Sequence, residues 1–244
     1  MTYENKMTTL IKACQEGNIN LVKYFVSQGA DVNANCGGAI IRASKNGYLE
    51  VVKYLVFQGA NVNINYNLSI KRASENGHLE VVKYLVSQGV DIQVGNNSAV
   101  RFASENGHLE VVKYLVSQGA NVRAHDDWAV RRASENGHLK VVKFLVEKGA
   151  DFRDKNDYAV QWASRNGHLE VVKYLVSQGA STAHLSERAR HYLSFCKKME
   201  EKRKIRAQKI IYYWWIPICY NLSRGCGKRM AQKNVDNYQK MMNL

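Results

Sequence analysis

The strongest constraint on this chain is its self-similarity. Gly17, Gly47, Gly77, Gly107, Gly137 and Gly167 recur every 30 residues, and so do Gly29, Gly59, Gly89, Gly119, Gly149 and Gly179. Residues 73–89 and 103–119 are the same string, ASENGHLEVVKYLVSQG, and 163–179 departs from it only at Arg165. A unit this short holds one supersecondary element and encloses no core of its own. Six of them must therefore stack and bury each other's apolar faces, which excludes a single closed globule.

Within a unit, Leu79, Val82, Leu85 and Val86 follow the spacing of one helical face, so Leu79 to Gln88 reads as a helix. Gly77 and Gly89 bracket it with residues that end helices cheaply. A shorter helix is expected from Ser69 to Asn76, where Ala73 and its equivalents Ala43, Ala103, Ala133 and Ala163 permit close packing. Each unit is thus two antiparallel helices. The polar connection from Gly89 to Asn97 reads as an extended loop projecting sideways to the next unit.

The segment GHLEVVKYLVSQGANV, residues 107–122, resembles the second helix and following loop of the ankyrin repeat family, and the pattern recurs from about residue 8 to residue 184. The resemblance implies an all-α, ankyrin-type solenoid of about six 30-residue helix-turn-helix repeats with short β-hairpin-like loops, followed by a C-terminal helical basic and aromatic segment. It implies a non-enzymatic protein-protein interaction module, monomeric, with no cofactor, no metal and no catalytic residues. Two departures stand out: the family unit is about 33 residues and opens its first helix with T-P-L-H-x-A, whereas here the loop is shorter and the opener reads Trp128-Ala129-Val130-Arg131-Arg132-Ala133 in the fifth unit. The 30-residue form is similar to arrays encoded by giant DNA viruses of amoebae of the mimivirus type. That likeness implies a viral protein acting in the host cytoplasm on a host protein, and the cations Lys71, Arg72, Arg101, Arg131 and Arg132 point to an acidic or mixed surface on it.

Comparing the units within this one chain separates positions that stacking demands from positions it leaves free. The second helix barely changes. Variation concentrates at the loop tip (Cys36, Tyr66, Asn96, Asp126, Asn156) and in the first helix (Gly38, Leu68, Ser98, Trp128, Tyr158; then Ile41, Lys71, Arg101, Arg131, Gln161; then Arg42, Arg72, Phe102, Arg132, Trp162). In the ankyrin fold, the resemblance implies, these positions line the concave face that grips other proteins. Trp, Tyr and Arg are the residue types of binding hot spots. The candidate partner site is therefore Tyr66, Lys71, Arg72, Arg101, Phe102, Trp128, Arg131, Arg132, Tyr158, Gln161 and Trp162.

Charge divides the chain. Residues 181–244 carry 14 Lys+Arg against 4 Asp+Glu, most of the formal net charge of +14. The expected organisation is a repeat array over 1–184 and a tail over 185–244, with Leu185 to Phe195 covering the open apolar end of the stack. The dense run Lys202, Arg203, Lys204 and Arg206 is followed by Trp214 and Trp215, and Pro217 is expected to stop that helix. Three destinations are open for this segment: folding back on the array, docking a second protein, or lying on an anionic membrane or nucleic acid. Poxvirus arrays end in an F-box-like segment that recruits ubiquitin ligase; no such pattern occurs here.

Other chemistry is weakly supported. His78, His108, His138 and His168 form a column, but helices pack about 8 to 10 Å apart and a zinc nitrogen bond is about 2.0 to 2.1 Å, so neighbouring rings are expected to hydrogen-bond structurally instead of sharing a metal. The five Cys (Cys14, Cys36, Cys196, Cys219, Cys226) include no C-x-x-C pair, and the start lacks an apolar signal core, so they are expected reduced inside a cell. The Gly227-Lys228 pair lacks the other residues of a phosphate-cradling loop.

Overall fold

A computed structural model of the chain describes the backbone of residues 3–221 and the side chains of 9–208. Among the described residues there are thirteen helices and no strand: α1 (Tyr3–Glu16), α2 (Ile19–Ser27), α3 (Ala34–Lys45), α4 (Leu49–Phe57), α5 (Ile64–Glu75), α6 (Leu79–Ser87), α7 (Val94–Glu105), α8 (Leu109–Ser117), α9 (Ala124–Glu135), α10 (Leu139–Glu147), α11 (Asp154–Arg165), α12 (Leu169–Ser177) and α13 (Glu187–Asn221). The first twelve pair into six repeats. Within the fourth, Val100, Ala103, Val112 and Leu115 are wholly buried, and the same column repeats up and down the stack. Each first helix packs on the first helices of its neighbours more intimately than second helices pack on one another. The buried Ala at 43, 73, 103, 133 and 163 admits that approach.

The turn inside a repeat explains one of the two glycine columns. Gly107 has φ +79°, which lets the His108 N–H reach back to the Ala103 carbonyl at 2.9 Å and close the end of α7. A second reason is not local: a side-chain carbon at Gly107 would meet the ring of His138 in the next repeat. The Gly therefore keeps its seat both for its backbone angle and for the ring that covers it.

The loop between repeats corrects the expectation of an extended, β-hairpin-like finger. Asn65, Tyr66 and Asn67 have φ of 56, 54 and 58°, a left-handed turn of three residues that leads into the right-handed part of α5. Residues 35–37, 95–97, 125–127 and 155–157 do the same. Ordinary side chains lose about 1–2 kcal/mol per residue in this conformation, but Asn and Asp tolerate it, and they hold most of these places. Stacking offsets the remainder. Asn67 donates to the Asp91 carbonyl at 2.8 Å, and the buried Asn97 and Asp127 accept the N–H of Asn121 at 2.8 Å and of Asp151 at 2.6 Å. In the second repeat Gly37 has no side chain for this, and Asn33 takes over, donating to Gly59 O at 3.0 Å and accepting Asn61 N–H at 2.8 Å.

The chain divides into two compact units, Met1–Ala189 and Arg190–Leu244. Within the first, Leu185 and Ala189 are buried at the end of the stack, and the Ser186 N–H donates to Ser164 Oγ at 2.7 Å. Phe195, the last residue expected to take part in that cover, is exposed. Helix α13 runs through Pro217 to Asn221, which overturns the expectation that Pro217 ends it. A proline forfeits the bond to the carbonyl four residues earlier, and with only four residues left in the helix the loss falls in its last turn. No described helix is long and apolar enough to cross a membrane.

Candidate functional site

The variable positions of α5, α7, α9 and α11 meet across repeats, because first helices lie closest together. Lys71 Nζ sits 4.1 Å over the ring of Phe102, one repeat further on. Phe102 and Trp128 pack with centroids 5.4 Å apart. Arg101 lies 4.9 Å over Trp128, and Arg132, one turn further along the same helix, approaches that ring at 5.5 Å. A second group follows: Arg131 is 5.3 Å over Tyr158, Tyr158 packs on Trp162 at 5.5 Å, and Arg165 lies 5.1 Å over Trp162. Cations alternating with ring faces in this way attract through the ring quadrupole, by about 0.5 to 2 kcal/mol per contact.

The electrostatics of the arginines differ. Burial pulls the Arg101 guanidinium below its ordinary pKa, against the raising pull of Glu105, and its Nε is enclosed without a hydrogen-bond partner. Arg132 is held above its ordinary value, chiefly by its hydrogen bond to Glu135 at 2.7 Å. Arg131 donates to the carbonyls of Asp126 at 2.8 Å and His125 at 3.3 Å, which fixes it along the left-handed turn.

Of the residues singled out from sequence, Lys71, Arg101, Phe102, Trp128 and Arg132 form one cluster, and Arg131, Tyr158 and Trp162 another. Three stand outside both. Tyr66 projects from its turn at 82% exposure, Arg72 is bound to Glu75 at 2.7 Å, and Gln161 donates to Asn156 O at 2.6 Å. Arg165 was missed as a site residue, although its place as the one departure in an otherwise repeated string was the signal for it. In the tail, Lys202, Arg203, Lys204 and Arg206 are exposed on α13, while the side chains of Trp214 and Trp215 lie outside the described residues.

The histidine column is structural, as its spacing suggested. His78 Nε2 donates to Lys45 O at 2.8 Å and His108 Nε2 to Glu75 O at 3.0 Å, tying each repeat to the one before. Burial lowers the pKa of His138, with a carbonyl hydrogen bond from Glu105 opposing it. Cys14 is buried and its thiol is pushed up to about 12, which keeps it protonated and unreactive. The side chain of Cys219, and Cys226 with the Gly227-Lys228 pair, lie outside the described residues.

A family model for ankyrin repeats, three copies, matches residues 1–66, 69–126 and 127–186. The chain belongs to the ankyrin repeat family. No curated protein matches it significantly. Ankyrin repeats are non-enzymatic protein-protein interaction modules in general, so the cation-aromatic clusters of this ankyrin array belong to a fold that works by presenting a surface. The match ends at residue 186, where Ser186 bonds to Ser164 in the last repeat.

Proposed function

We propose that this ankyrin array is a binding module that grips a protein with an acidic or mixed surface along its first-helix face, through Lys71, Arg101, Phe102, Trp128, Arg131, Arg132, Tyr158 and Trp162, with Tyr66, Arg72 and Gln161 at the margins. The observation that carries this reading is a coincidence of two properties: the positions that differ between repeats are also those where guanidinium groups stack on half-buried rings. A ring clamped by cations is rigid, so a partner meets it with little ordering entropy left to lose, and rigid aromatic and Arg side chains are what hot spots are made of. A stack packed more tightly on one side curves toward that side, which makes the same face the concave one. Like the mimivirus-type arrays it resembles, the module would act as a monomer in host cytoplasm on a host protein.

Replacing Arg101, Arg131 and Arg132 together with Glu is expected to weaken capture of that partner by about tenfold or more while the helical circular dichroism is unchanged. Binding that survives the triple replacement refutes the reading.

The exposed basic run of α13 supports a second reading, a two-ended adaptor whose tail holds another protein, an anionic membrane or nucleic acid. Because Leu185 and Ala189 are buried against the last repeat, the tail is to be cut after Arg190 and not after residue 184. The adaptor reading requires that this truncation lose the second ligand and keep the first, with phosphate-bearing ligands lost steeply as salt rises.

A further inference from the structure

Away from the aromatic clusters, the inner face of the second repeat departs from the charge compensation found in the third and fifth. In the third and fifth repeats the groove arginine is neutralised three residues on, Arg72 by Glu75 and Arg132 by Glu135, each at 2.7 Å. In the second repeat the same spacing brings Arg42 to Lys45. Both side chains are exposed, and among the described residues neither has an acidic partner.

A second departure lies beside the first. Leu68 stands where the fifth repeat has Trp128, and a depression of about 300 Å³ lies there between the second and third repeats, lined by Gly38, Ile41, Arg42, Lys45, Leu68 and Arg72. Its lining combines the cations Arg42, Lys45 and Arg72 with the aliphatic Ile41 and Leu68. In the two aromatic clusters a cation has a ring of its own chain to rest on; among the described residues Arg42 and Lys45 have none.

We infer that this depression is the specificity pocket for the partner: it seats an aliphatic side chain of a protein segment between Ile41 and Leu68, while acidic residues flanking that side chain in the segment pair with Arg42 and Lys45. This deepens the proposed function and rests on it. The chemistry follows from complementarity. Two adjacent exposed cations repel each other, and a carboxylate brought in by a partner removes that repulsion as well as adding attraction, so the gain is larger than at Arg72 or Arg132, where an internal Glu must first be displaced. Leu68 is smaller than the Trp128 that holds the same position in the fifth repeat, and the difference leaves room for an aliphatic residue of the partner.

The test is a display selection of random dodecamer peptides on the full chain, followed by fluorescence anisotropy of the enriched peptides. Enriched sequences are expected to hold an aliphatic residue flanked by Asp or Glu, to lose affinity about tenfold or more against R42E/K45E, and to lose it also against L68W, which fills the depression without changing charge. Leu68→Trp is compatible with the fold, since the fifth repeat carries Trp128 at the same position. Enriched acidic peptides indifferent to both variants but lost on R101E/R131E/R132E overturn the pocket and leave the proposed function standing. Peptides insensitive to all three variants, or enrichment of basic peptides, overturn both. Circular dichroism of each variant at the level of the parent chain secures the comparison.

Discussion

The second helices and the first-helix face of this array obey opposite rules. The LEVVKYLVS helix appears unchanged in α6, α8 and α12, and its inward residues are buried to the same depth each time. Three positions of the first helix change from repeat to repeat, yet their side chains still find one another across the stack, as Lys71 with Phe102 and Arg101 with Trp128. The difference teaches that uniformity and contact are separate matters. A position is constant where its neighbour is another copy of itself and the space between them has one size; it is free where it faces outward, and whatever cations and rings arrive there pair as they can.

That contrast breaks most visibly in the core. Leu115→Ala removes a side chain with 0% exposure from between repeats, and is expected to cost about 2–5 kcal/mol in urea denaturation. Tyr66→Ala, at 82% exposure on a variable tip, is expected to stay within about 0.5 kcal/mol. Equal losses at the two sites remove the distinction.

An intermediate effect is expected at the turn. Gly107→Ala places a side chain at φ +79° and against His138, at a cost of about 1–3 kcal/mol. The double variant with His138→Ala separates the two causes: if ring contact contributes, the second substitution restores part of the loss, and if only the backbone angle matters the two costs add.

The smallest effect sharpens the picture of the loops. Asp127 is a buried carboxylate where the two preceding repeats have Asn67 and Asn97, and burial raises its pKa above the usual Asp value despite the opposing hydrogen bond from Asp151 and the nearby Arg123. An acid whose folded pKa is raised binds its proton more tightly when folded, so it loses stability as pH climbs through that range. Asp127→Asn is expected to stabilise the protein near neutrality by under about 1 kcal/mol, with the gain vanishing as pH falls below the ordinary Asp range. A thermal-melting series across pH measures it, and a gain that persists in acid contradicts the assignment.

Much of the fold was legible in the sequence. The second helix expected from Leu79 to Gln88 is α6, Leu79–Ser87, because its apolar spacing and its two glycines act within a few residues. The left-handed turns were not read, and the signal for them was present: Asn65, Asn67, Asn96, Asn97, Asp126, Asp127, Asn156 and Asp157 are residue types that tolerate positive φ, but taken singly they read as ordinary loop polarity. For the candidate site, variation between repeats singled out residues that the structure brings together, while the sorting of Arg72 to Glu75, Arg132 to Trp128 and Arg131 to Tyr158 depended on which neighbour each side chain meets first.

By itself, the chain's order of residues determined the 30-residue period, the two helices of each unit, the buried faces and the need to stack, since all of these follow from periodicity and helix-end chemistry over short spans. The tertiary structure alone decided the bonds that join residues 24 or 33 positions apart, Asn67 to Asp91 and His78 to Lys45, and the pairing of rings with cations between repeats. The physical reason is distance. A hydrogen bond or a cation-aromatic contact works only within a few ångströms, and the register that brings one repeat that close to the next exists only once the repeats are packed.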